Sequence, residues 1–76
     1  MNQFLKYSLE KQRKIRAVLT LDGVLVQKNV TVLVLDAAAT TATLQISGKK
    51  EPLTVALADI LSCDYARGDH GDGDEG

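Results

Sequence analysis

The stretch from Asp22 to Asp36, DGVLVQKNVTVLVLD, is apolar at both parities of a strand. Successive side chains of a β-strand point to opposite faces, so a half-solvated strand alternates apolar and polar residues. Here Val30, Val32 and Val34 fill one face, while Leu33 and Leu35 fill much of the other. Both faces then need cover from a closed barrel, a packed helix or another subunit. The polar interruption Gln27-Lys28-Asn29 is the expected place for a bend or bulge that lets one strand serve two sides of a barrel. Leu33 and Leu35, turned away from the Val30 series, are the expected oligomer or partner interface.

The rest of the chain supplies the partners of that strand. Asn2 suits the N-cap of a short helix over residues 3–12, with Phe4, Leu5 and Leu9 on its apolar side and Tyr7 at the margin. Between Lys14 and Leu21 the period drops to two: Ile15, Ala17, Leu19 and Leu21 share one face. Asp22-Gly23 is a two-residue hairpin signal. Residues 36–39 read as a loop, Thr41 to Ser47 as a third strand, and Gly48 to Pro52 as a turn. A fourth strand follows through Leu53, Val55 and Leu57, then a tight break at Ala58-Asp59 and a fifth strand from Ile60 to Tyr65. The expectation is a mainly β domain over residues 1–66, a small five-stranded SH3-like barrel with a short N-terminal helix across one opening. Its core should hold Leu5, Leu9, Ile15, Ala17, Leu19, Val30, Val32, Val34, Leu44, Ile46, Val55 and Ile60. The first and last strands are the expected open edges. Residues 67–76, RGDHGDGDEG, have no apolar residue and read as a flexible acidic tail.

A domain this small buries only about 60% of the surface its unfolded chain exposes, so self-association is a natural source of stability. Cys63 is the single cysteine, which rules out an intrachain disulfide and fits a reducing, cytoplasmic setting. In Leu61-Ser62-Cys63-Asp64 the thiol has an acidic rather than a basic neighbour and reads as a small buried hydrophobe. The first dozen residues lack the apolar run of an export signal, and no stretch approaches a membrane span.

Charge is uneven. Residues 1–16 carry Lys6, Lys11, Arg13, Lys14 and Arg16 against Glu10 alone, whereas residues 67–76 carry Arg67 against Asp69, Asp72, Asp74 and Glu75. The basic five are the candidate RNA-binding residues, acting on phosphates by charge because stacking aromatics are few. The lone histidine, His70, lies in the tail, and Ser62, Cys63 and Asp64 alternate across a strand. No nucleophile–base pair can be assembled from them, so no catalytic residue is expected. The tail acids are too short a run and wrongly spaced for an EF-hand loop, so no metal or cofactor is expected.

Phe4-Leu5, Leu9, the basic helix end Lys11–Lys14, Ile15, Leu19, Asp22-Gly23, Val24, Val26, Gln27 and Ile60-Leu61-Ser62 together resemble the Sm-like superfamily, in particular the bacterial Hfq-type RNA chaperones. The resemblance spans roughly residues 3–65. It implies an N-terminal helix, five strongly bent strands, assembly into rings, and RNA as partner. Lys28 stands where that family often has a glycine, residues 37–40 lack the base-binding asparagine of the eukaryotic pattern, and Leu57-Ala58 replaces the family's Lys-His pair. Leu57-Ala58-Asp59-Ile60 is also similar to the end of the WYL domain, a ligand-sensing Sm-like barrel of transcriptional regulators. The expectation is therefore a non-catalytic, homo-oligomeric RNA-binding module. The alternative is a protein-interaction or WYL-like sensing domain without RNA affinity.

Overall fold

A computed structural model describes residues 3–69. It contains α1 (Gln3–Lys11), β1 (Ile15–Leu21), β2 (Val24–Asp36), β3 (Thr41–Ile46), β4 (Leu53–Ala56), a one-turn 3-10 helix η1 (Leu57–Asp59) and β5 (Ile60–Tyr65). The five strands form one antiparallel sheet in the order β4-β3-β2-β1-β5. β4 and β5 do not pair with each other, so the sheet is open where a closed barrel was expected. β1, expected at an edge, lies between β2 and β5, and β4 takes the edge instead. The acidic tail expectation concerns residues 67–76, of which 70–76 lie outside the described residues.

The β1–β2 hairpin forms as its turn chemistry demands. Asp22 and Gly23 both adopt positive φ, 52° and 78°, the two left-handed positions of a type I′ turn. Register then runs without interruption from Leu21↔Val24 to Ile15↔Val30. Gln27-Lys28-Asn29 therefore carries no bulge; these residues are simply exposed partners of β1.

The bulge lies further on, at Leu33. Val32 pairs with Leu44 and Val34 with Thr43, so Leu33 is one residue extra on β2. An extra residue inverts the in–out alternation beyond it. Val34, expected in the core, points outward beside Thr43 and is 51% exposed. Leu35, expected to face away, pairs with buried Ala42 and packs on the core, while Leu33 is half-buried. A second register shift makes Leu61 the extra residue on β5, between the pairs Leu19↔Ile60 and Val18↔Ser62.

The core comprises Leu5, Ile15, Ala17, Leu19, Val30, Val32, Ala42, Leu44, Ile46 and Val55, with Leu9 and Ile60 packed against it. In α1, Leu5, Ser8 and Leu9 fall at positions i, i+3 and i+4, one face of the helix. Leu5 and Ser8 are buried there, and α1 lies chiefly on β2. Phe4 and Tyr7 meet Tyr65 edge-on, with ring centroids 4.9 and 5.2 Å apart, tying α1 to β5.

Ser8 explains how β2 outlasts β1. Ile15↔Val30 is the last β1–β2 pair, and beyond it β2 loses β1 as a ladder partner. The Val32 N–H donates to Ser8 Oγ at 2.9 Å, and Ser8 Oγ donates to the Arg13 carbonyl at 2.6 Å. Gln12, at φ 55°, stands just past α1 and sends Nε2 to the carbonyls of Leu9 (2.8 Å) and Val32 (3.4 Å). Side chains from the helix end thus take over the ladder where β1 stops. Ser8→Ala leaves the Val32 N–H and the Arg13 carbonyl without their partner and is expected to lower unfolding free energy by about 1–3 kcal/mol. Urea denaturation measures this; an unchanged midpoint would show that the bridge contributes nothing.

Candidate strand-edge binding site

The five candidate RNA-binding cations do not form one patch. Lys6 and Lys11 are exposed on α1 but five positions apart, about 140° around the helix at 3.6 residues per turn. Arg13 and Lys14 lie in the exposed connection to β1, and Arg16 lies on the outer sheet face in register with Asp64. Arg13 and Arg16 already hold acids. Arg13 Nη1 is 3.5 Å from an Asp69 oxygen, and Arg16 Nη2 is 3.3 Å from Asp64.

Asp69 also accepts a 2.8 Å hydrogen bond from the Tyr7 hydroxyl, which in turn accepts one from Arg13 at 3.2 Å. The beginning of the acidic tail is therefore fastened to the helix end. Gly68 at φ 86° and a hydrogen bond from the Asp69 N–H to the Ala66 carbonyl provide the reversal that brings it there. The Arg67-Gly68-Asp69 tripeptide has its carboxylate engaged within the chain by this cluster. Desolvation, followed by the hydrogen bond to Asp69, raises the Tyr7 pKa above its ordinary value, with Arg13 opposing.

Of the Ser62-Cys63-Asp64 set, Cys63 shares a face with buried Ala17, and its neighbours share the opposite face with Val18 and Arg16. Burial pushes the Cys63 thiol up, away from the reactive thiolate. Among the described residues no group of three His, Cys, Asp or Glu side chains is placed to hold a metal ion. No helix among them is long and apolar enough to cross a membrane.

The sheet ends in two open strand edges, β4 and β5. β5 presents Leu61, pushed out by its bulge and 58% exposed. β4 presents Leu53, which pairs with inward-facing Leu44 and is nevertheless 41% exposed. Beside β4 runs a cleft of about 630 Å³, bounded by the end of β1 at Thr20–Asp22, the β3–β4 turn, all four β4 residues and Asp59. Both parities of β4 line it, Leu53 and Val55 as well as Thr54 and Ala56, so the cleft follows the strand's edge rather than one face. No pattern in the sequence marks this slot, because it depends on which strand the sheet leaves last.

Removing the acceptor at Asp69 removes one of the causes that raise the Tyr7 pKa. Asp69→Ala is therefore expected to shift one of the two tyrosine titrations to lower pH, read by ultraviolet absorbance of the phenolate. An unmoved titration would deny the hydrogen bond. With these contacts in place, no protein-family model, curated protein or solved structure matches the chain.

Proposed function

We propose that this chain is a non-catalytic binding module that works by strand addition, joining its own copies through the β5 edge. The observation that carries this reading is the open sheet, whose two end strands each expose a leucine, Leu53 and Leu61. A strand edge offers unpaired N–H and C=O groups in a row, and an exposed apolar side chain on it adds burial to the pairing. A two-fold axis sets β5 antiparallel to its own copy, so two copies meeting edge to edge would extend one antiparallel sheet across the interface. The helix followed by five strands, with a bulged long second strand, supports an Sm-like kinship, in which small bent sheets assemble.

RNA is the second reading. Lys11, Arg13 and Lys14 lie within four residues at the helix end, exposed and close enough to meet one phosphate run. RNA would have to compete with Asp69 for Arg13 and with Asp64 for Arg16. Affinity of this kind falls steeply with salt, whereas apolar strand pairing does not.

Light scattering across a dilution series tests the first reading. The expected mass is a multiple of 8.2 kDa that persists at high salt, and Leu61→Lys is expected to return it to 8.2 kDa with an unchanged circular dichroism spectrum. A monomer at every concentration would sink the proposal. A single-stranded RNA oligonucleotide titrated at rising salt tests the second reading, and absence of binding at low salt would remove it.

A further inference from the structure

We infer that the slot beside β4 receives an extended peptide that runs, from N to C terminus, from a basic residue through alternating apolar residues to an acidic one. This rests on the strand-addition reading and names the partner for the other edge. The slot has an apolar floor in Leu21, Ile46, Leu53 and Val55 and a free strand edge along one wall. Its volume of about 630 Å³ suits a few side chains rather than a folded domain. β4 has four residues, a length of about 13 Å, so the occupant is a short strand.

The charges give the slot a direction. Lys49 and Lys50 lie in the turn that leads into β4, and Asp59 lies in η1 just after it, so cations and an anion flank opposite ends of the strand. Among the described residues, none of these three forms an ion pair. Glu51 offsets one of the two lysines, and Asp22 of the β1–β2 turn also lines the slot. Antiparallel pairing, the only kind in this sheet and the more stable per residue, sets the incoming strand's C-terminal end against Lys49 and Lys50. Its N-terminal end then meets Asp59. A base at the first position and an acid at the last satisfy both ends; the reverse order repels at both.

The partial exposure of Leu53 fits the same occupant. It has the inward parity of Leu44 and Val55 yet lacks a neighbour on the slot side. An apolar side chain from the added strand would supply one.

The test uses the full chain and two N-acetylated, fluorescently labelled hexapeptides, RTVTVD and DTVTVR, titrated by fluorescence anisotropy with solution mass read in parallel. RTVTVD is expected to bind about fivefold more tightly, the scale of two exposed ion pairs. The double variant Lys49→Glu, Lys50→Glu, at exposed turn positions, is expected to abolish that preference with an unchanged circular dichroism spectrum. Equal affinity for the two peptides, or binding of neither, overturns the inference. If neither peptide binds and the chain still self-associates, with a mass that the double variant lowers, a second copy fills the slot; strand addition then stands and the peptide inference falls. If neither binds and the chain is a monomer, both fall together.

Discussion

The Ser8 hydroxyl is the small interaction on which this architecture depends. β2 is 13 residues long and β1 only seven, so half of β2 must find backbone partners elsewhere on that side. A buried, unpaired N–H at Val32 would cost about as much as several exposed contacts contribute. Ser8 takes that N–H and passes its own proton to the Arg13 carbonyl, so a single side chain satisfies a strand and the loop leading into its neighbour. This also accounts for a serine that is fully buried on the apolar face of a short amphipathic helix. Leucine there would pack better in isolation and leave two main-chain groups orphaned.

Much of the fold is legible in residue patterns for reasons that are local. Asp22-Gly23 tolerates positive φ at consecutive positions, which pins the hairpin and through it seven pairs of register. Period-two alternation in β1 and β3 translates directly into burial, as Ile15, Ala17 and Leu19 and again Ala42, Leu44 and Ile46 demonstrate. β2 was less legible because a bulge changes parity without changing composition. Six consecutive residues from Val30 to Leu35 are apolar save Thr31, so nothing in the run says which one is extra. The answer comes from β3: alternating Leu44, Thr43 and Ala42 requires Leu35 inside and Val34 outside, and leaves Leu33 as the surplus residue. A polar residue at 33 or 34 would have marked the place.

The candidate site was legible only in part, and for a different reason. Counting charge along the chain finds the basic start, but the acids that meet it come from the other end of the sequence. Asp64 reaches Arg16 because β5 pairs with β1, and Asp69 reaches Arg13 because the chain reverses after Tyr65. Both are consequences of sheet order, which sequence periodicity does not encode. The β4 slot is invisible in the sequence for the same reason. Leu53, Lys49 and Asp59 acquire meaning together only once β4 is the strand left without an outer neighbour.

Size connects these observations. A sheet of five strands can bury one face under its own curvature and one short helix, and the ten buried apolar residues among those described are near what a chain of this length can enclose. Covering both edges as well would take a further strand or a closed barrel, which four residues of β4 and a bulged β5 do not provide. Native sheets usually blunt such edges with charge, proline or a bulge. This chain does so unevenly: a bulge on β5 that turns a leucine outward, and Pro52 and two lysines before β4 that leave its four residues uncovered. Those devices limit indiscriminate pairing along the whole edge while leaving a short segment open at each end of the sheet. The sheet thus ends in two short open segments, one on β4 and one on β5, because a chain this small has no further strand to close it.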